Sequence, residues 1–124
     1  MRENAPFFTI LLVEDDEALR KSSAKGLKAC GYAVLEAATA PEAEKILRES
    51  GKYIEILFSD MMMPGKNGME LADEIASLFP GIKVVLTSGS FMEEPLLEAM
   101  RQKGYRFLPK PYDINSIMSL LTRI

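Results

Sequence analysis

The sequence predicts an α/β protein with a doubly wound, five-stranded parallel sheet, the (βα)5 architecture with strand order 2-1-3-4-5. Five short apolar runs alternate with segments of helical periodicity, which is typical of a sheet covered by helices on both faces. The runs are mostly unbroken, as expected for buried parallel strands. Right-handed crossovers leave few five-strand topologies, and 2-1-3-4-5 is a common one. The predicted strands are residues 8–13, 33–37, 54–58, 83–87 and 105–108.

Helical spacing follows each predicted strand, and local signals mark where several helices begin or end. Residues 39–42 resemble a capping box at the start of the second helix, and Gly31 stands where a left-handed residue would end the first. Pro80 and Gly81 close the third helix. The last segment carries an apolar stripe at helical spacing, formed by Ile114, Ile117, Met118 and Leu121.

Length and composition favour one domain over residues 1–124, with an ordered core of about residues 7–123. The net charge of -3 gives no basic face for direct binding of nucleic acid. The apolar runs are too short to span a membrane, and Cys30 has no partner for a disulfide, so we expect no membrane insertion and a cytoplasmic location. The chain contains no histidine, which excludes histidine-based acid-base catalysis and metal ligation.

Polar residues follow four of the five predicted strands, and the second strand contributes none. Ligands of open α/β sheets bind beyond the carboxyl ends of the strands, and in the order 2-1-3-4-5 these four strands are neighbours. The candidate site residues are Glu14, Asp15, Asp60, Thr87, Ser88 and Lys110.

This set suits a reaction at phosphorus. Three converging carboxylates repel one another unless a cation lies between them, and Mg²⁺ prefers such oxygen ligands together with phosphoryl oxygens. An aspartate can attack phosphorus to give an aspartyl phosphate while the metal and Lys110 neutralise the equatorial oxygens. A carboxylate nucleophile requires no general base. The absence of histidine is therefore no obstacle.

Four segments resemble the receiver domains of two-component response regulators, the CheY-like superfamily. They are residues 10–16 (ILLVEDD), 59–68 (SDMMMPGKNG), 86–89 (LTSG) and 107–111 (FLPKP). The resemblance spans essentially the whole chain and implies a flavodoxin-like fold. It also implies that Asp60 is the phosphoacceptor and that Glu14, Asp15, Asp60 and the Met62 carbonyl hold Mg²⁺, with Mn²⁺ as a possible substitute.

The same resemblance implies roles for the remaining residues. Thr87 and Ser88 would contact the phosphoryl group, Lys110 would bind it, and Phe107 would be the aromatic residue that rotates on activation. Met62 and Gly89 would tune the lifetime of the phosphorylated state. Asp16 is expected to cap the first helix, and the Lys110–Pro111 bond to be cis. The methionine run 61–63 is expected to pack in the core.

The expected function is two-component phosphorelay signalling rather than enzymatic turnover of a separate substrate. A histidine kinase or histidine phosphotransfer protein would supply the phosphoryl group, and the face of the fourth helix, fifth strand and fifth helix would signal to an effector that the sequence does not identify. The 86–89 and 107–111 segments also resemble receivers of hybrid sensor histidine kinases, so the parent chain is a candidate histidine kinase.

Three other classes of protein share parts of this pattern. An aspartate-nucleophile phosphatase would need a second carboxylate at the position of Met62, and a flavodoxin-like electron carrier would need a hydroxyl-rich loop where residues 14–17 are acidic. The third is a pseudo-receiver that is not phosphorylated and serves as a protein-binding module. The non-phosphorylated pseudo-receiver remains the alternative to a receiver that is phosphorylated on Asp60.

Overall fold

The computed structural model describes residues 8–123 and confirms the predicted architecture. Five parallel strands form one sheet in the order β2-β1-β3-β4-β5. The strands are β1 Thr9–Val13, β2 Ala33–Ala37, β3 Ile56–Asp60, β4 Lys83–Ser88 and β5 Arg106–Pro109. The helices are α1 Glu17–Ala29, α2 Ala40–Ser50, α3 Gly68–Leu78, α4 Glu94–Lys103 and α5 Ile114–Leu121.

Two hydrophobic cores lie on opposite faces of the sheet, because successive side chains of a strand point to opposite sides. Leu11 and Leu57 belong to the core beneath α2, α3 and α4. Ile10 and Phe58 belong to the core beneath α1 and α5. The central strands are thus buried on both faces, which explains their unbroken apolar sequences.

The third strand begins later than the apolar run at residues 54–58, and it ends at Asp60, as the sequence predicted. A 3₁₀ turn at Gly51–Tyr53 precedes it, and Ile54 donates its backbone N–H to the Gly51 carbonyl instead of joining the sheet. At its other end β3 includes Asp60, which pairs in register with Thr87 of β4. Asp60 is therefore held by the sheet itself rather than by a loop. The first residue of the predicted ordered core, residue 7, lies outside the described residues.

The helix signals were largely correct. Asp16 caps α1 by accepting the backbone N–H of Leu19, and Gly31 has a φ of 101° just beyond that helix. Thr39 caps α2, but Glu42 accepts the N–H of Ala38 rather than that of the cap residue, so the predicted capping box is incomplete. The complete box, which was not predicted, opens α3 at residues 67–70.

Gly68 lets α3 begin directly against the end of β3. A Cβ atom at this position would lie 2.3 Å from the Asp60 carbonyl oxygen and 2.9 Å from the Met61 Cα. These are backbone atoms and cannot rotate away. A glycine is therefore required for the sheet to present Asp60 beside the start of α3.

Candidate functional site

An acidic cluster lies where the carboxyl ends of β1 and β3 meet. Carboxylate oxygens of Glu14, Asp15 and Asp60 all lie within 4.8 Å of one another. Glu14 and Asp60 are buried, whereas Asp15 is exposed. Three oxygen donors on one side with an open side toward solvent fit a hard divalent cation such as Mg²⁺, which keeps part of its water shell.

Lys110 lies between the two buried carboxylates. Its Nζ is 2.8 Å from Glu14 Oε1 and 3.3 Å from Asp60 Oδ2. The Lys110 backbone N–H donates to the Ser88 carbonyl, and the Lys110–Pro111 peptide is cis, as predicted. The ammonium thus offsets part of the negative charge that the sheet concentrates at this edge.

Burial and charge shift the pKa values of Glu14 and Lys110 upward. Burial raises the pKa of Glu14 above its ordinary 4.5, and its hydrogen bond with Lys110 offsets only part of that effect. Burial would lower the pKa of Lys110, but the hydrogen bond with Glu14 and the charge of Asp60 more than compensate and raise it. Glu14 therefore contributes stability below about pH 4.5 that is lost as pH rises through its raised pKa. A bound cation would favour the ionised carboxylate.

Backbone hydrogen bonds fix the orientation of both buried carboxylates. Glu14 Oε2 accepts the N–H of Asp16 at 3.1 Å, and Asp60 Oδ1 accepts the N–H of Met62 at 3.2 Å. The Met61 N–H donates to the Thr87 carbonyl at 2.7 Å, which continues the sheet one residue beyond Asp60. The site is thus preorganised by main-chain contacts.

The other predicted site residues surround this cluster at varying depth. Thr87 and Ser88 are buried at the end of β4, and Ser88 Oγ accepts the N–H of Ser90 at 3.0 Å. Gly89 lies beside Lys110, because a Cβ there would be 3.9 Å from the lysine side chain. Phe107 is half-buried on β5, where it lines a cavity of about 350 Å³ facing α4 and α5.

The methionine run does not pack as a unit. Met61 and Met63 are buried in the core beneath α2, α3 and α4, but Met62 is 58% exposed. The prediction that all three are packing residues is wrong for Met62, whose side chain faces solvent between two buried neighbours. Met62 is consequently an exposed apolar side chain next to Asp60.

Two charged residues with no predicted role lie next to the site, because Arg20 contacts Glu14 and Glu36 contacts Arg20. The Arg20 guanidinium donates to the Glu14 carbonyl at 3.0 Å, and it also pairs with Glu36 of β2. The one sequence signal for this arrangement is a single acidic residue inside an otherwise apolar short strand. β2 therefore does contribute to the site, although indirectly.

Fold and site together define an α/β domain with an acidic, lysine-containing centre at the carboxyl edge of its sheet. The chain belongs to the response regulator receiver domain family, whose family model matches residues 10–122. Within the described residues no helix is long and apolar enough to cross a bilayer.

The chain is similar to parts of longer proteins. It is 35% identical over 109 residues to the sensor kinase CckA of Brucella abortus, covering 88% of this chain and 12% of that protein. It is 31% identical to the response regulator protein FleR of Pseudomonas aeruginosa, covering 92% of this chain and 24% of that protein. The chain therefore spans a quarter or less of these relatives.

A solved structure of the receiver domain from the hybrid histidine kinase CckA is also similar. It has a TM-score of 0.78 and 36% identity, and the match covers 93% of this chain and 96% of that one. The likeness in fold thus extends over nearly the whole of both domains.

Replacing Lys110 with methionine should destabilise the metal-free protein and make its stability depend strongly on Mg²⁺. Removing the ammonium leaves two buried carboxylates facing each other, at a cost of about 1–3 kcal/mol that a divalent cation can offset. Urea unfolding with and without Mg²⁺ measures both effects. Lys103→Met is the matched control, because it removes an equal charge from a surface pair with Asp73. An equal Mg²⁺ response in both variants would contradict this account.

Proposed function

We propose that this domain accepts a phosphoryl group on Asp60 in a Mg²⁺-dependent reaction and so transmits a two-component signal. The observation that carries the proposal is the meeting of three carboxylates within 4.8 Å of one another, with the Lys110 ammonium 3.3 Å from Asp60. A structural salt bridge alone would not require the exposed third carboxylate of Asp15. Membership in the receiver family supports the same conclusion.

In the proposed reaction, an Asp60 carboxylate oxygen forms a bond to phosphorus as the P–N bond of a partner's phosphohistidine breaks. The imidazole leaves with the bonding electron pair. The Met62 N–H, which already donates to Asp60 Oδ1, holds the carboxylate in one orientation. Lys110 pairs with the charge that the phosphoryl oxygens bring into the site.

Glu14, Asp15, Asp60 and the Met62 carbonyl would hold the Mg²⁺, and Mn²⁺ would fit the same oxygen donors. When bound, the cation neutralises charge on the phosphoryl oxygens and orients them for attack. Asp15 faces solvent, so the cation can enter without opening the core.

Thr87, Ser88 and Phe107 would convert the modification into a change of surface. Thr87 is buried next to Asp60 in the sheet register, and Ser88 follows it, so their hydroxyls can turn toward the phosphoryl group. Phe107 pairs with Leu86 and lines the groove toward α4 and α5, so a change in the position of its ring would alter that surface. The surface formed by α4, β5 and α5 is then the output face.

The phosphoryl donor would be a histidine kinase or a histidine phosphotransfer protein, since the chain has no histidine of its own. Similarity to a sensor kinase and to a hybrid-kinase receiver supports a place in such a relay. We assign the domain no catalytic turnover beyond its own phosphorylation and dephosphorylation, and we place it in the cytoplasm.

The central test is intact mass after incubation with a small acyl phosphate. Wild-type protein should gain one phosphate when Mg²⁺ is present and none when it is chelated, because the carboxylates repel the phosphate without the cation. Asp60→Asn should gain none. Asp113→Asn makes the same side-chain change at the N-cap of α5, where an amide oxygen can still accept the Ser116 N–H, and should label like wild type. No adduct on wild type under either condition would favour the non-phosphorylated binding module.

The switch can be tested by amide NMR with a phosphoryl mimic and Mg²⁺. We expect signals of residues 88–100 and of Phe107 to shift in wild type, and much less in Thr87→Val, which keeps the side-chain shape but lacks the hydroxyl. Signals from the far end of α2, around Arg48, serve as the internal control. Unmoved signals at residues 88–100 and 107 in wild type would rule out the switch.

The lifetime of the aspartyl phosphate should depend on Met62 and Gly89, which we expect to flank the path of the water that attacks it. Met62 is exposed beside Asp60 but cannot orient a water by hydrogen bonding. Met62→Asn should therefore accelerate dephosphorylation severalfold, because its amide can orient the attacking water. This corresponds to a change on the order of 1 kcal/mol in the barrier. Met62→Leu should leave the rate near wild type. An unchanged rate in the asparagine variant would remove Met62 from this role.

A further inference from the structure

Arg20 connects three elements behind the acidic cluster. Its side chain is only 13% exposed although it carries a full charge. One guanidinium nitrogen, Nη1, donates to the Glu14 carbonyl oxygen at 3.0 Å, and Nε lies 3.4 Å from Glu36 Oε1. A single side chain of α1 therefore joins the end of β1 to the edge strand β2.

Glu36 explains why Arg20 adopts this position. Its Oε1 atom is buried and, within the described part of the chain, accepts no hydrogen bond. A buried carboxylate oxygen requires a compensating cation. Arg20 at 3.4 Å and Lys21 at 3.7 Å provide that charge, but Lys21 is 62% exposed and contributes less. Glu36 thus holds the Arg20 guanidinium over the Glu14 carbonyl.

The contact with Glu14 completes a set that fixes this residue on every side. The Glu14 N–H donates to the Ala37 carbonyl, and its two carboxylate oxygens contact Lys110 and the Asp16 N–H. The carbonyl that Arg20 holds belongs to the peptide joining Glu14 to Asp15. The orientation of that peptide determines where the Asp15 side chain begins.

We propose that Arg20, oriented by Glu36, is a positioning residue of the cation site. By fixing the Glu14–Asp15 peptide, it directs the Asp15 carboxylate toward those of Glu14 and Asp60. The inference rests on the proposed function, because it assumes that the acidic cluster binds a divalent cation. The edge strand β2 then supports the cation site through the ion pair of Glu36 with Arg20, and it supplies no metal ligand.

Positioning and simple electrostatics predict opposite results for Arg20→Met. Removing a positive charge close to three carboxylates should by itself strengthen the binding of a cation. Loss of a residue that orients a metal ligand weakens binding, typically by tenfold or more. The direction of the change therefore separates the two effects.

The experiment is a titration of the purified protein with Mn²⁺ alone, with free Mn²⁺ measured by electron paramagnetic resonance. We expect the Kd of Arg20→Met to rise about tenfold over wild type. Arg20→Lys should also bind weakly, since one ammonium cannot reach both Glu36 and the Glu14 carbonyl. The matched control is Lys21→Met, which removes the same charge beside the same glutamate without touching Glu14 and should bind as wild type or slightly more tightly. An unchanged or lower Kd for Arg20→Met would overturn the proposal.

Glu36→Gln provides a second variant that keeps Arg20 and nearly the same volume. Its loss of affinity should persist in 0.5 M salt, because an orientational effect is not screened as a long-range charge effect is. A loss that disappears at high salt would overturn the proposal even if Arg20→Met failed to fold. Wild-type protein that binds no Mn²⁺ would instead overturn the proposed function. Wild-type binding with an unaffected Arg20→Met would overturn the positioning role alone.

Discussion

The structure depends on a concentration of negative charge that the fold places at one edge of its sheet. Two of the carboxylates, from Glu14 and Asp60, are buried at the ends of neighbouring strands, where their repulsion opposes folding. Lys110 reduces this repulsion from the end of β5, and main-chain N–H groups hold each carboxylate in place. The contacts of Arg20 with the Glu14 carbonyl and of the Met61 N–H with the Thr87 carbonyl also keep these strand ends in place.

The sheet order makes this compensation possible. Lys110 is 50 positions from Asp60 along the chain, yet it reaches Asp60 because β3, β4 and β5 are consecutive neighbours. Short interstrand hydrogen bonds, such as that from the Met61 N–H to the Thr87 carbonyl, extend the sheet as far as the site. The sheet thus holds Asp60 and Lys110 at the anchored ends of its strands. The residues proposed to move, Thr87, Ser88 and Phe107, belong to β4 and β5 on the side of α4.

Much of this arrangement can be predicted from the sequence because its causes are local. Alternating apolar and helical segments determine the (βα)5 fold, and the fold order then brings Glu14, Asp60, Thr87 and Lys110 to one edge. Arg20 and Glu36 could not be predicted, since a charge on a helix or an edge strand looks like a solvated surface residue until tertiary packing buries it. The exposure of Met62 and the late start of β3 likewise depend on tertiary contacts that propensities do not include.

Gly68 shows that a position can matter to a site without contributing any functional group. Its missing side chain provides the space in which the Asp60 main chain lies, and no other residue type lacks a Cβ. In a survey of tolerated substitutions, this position should therefore be as restricted as the acidic residues, although for a steric reason. A residue near such a centre can therefore be intolerant to substitution because there is no room for a side chain, and not only because it takes part in the chemistry.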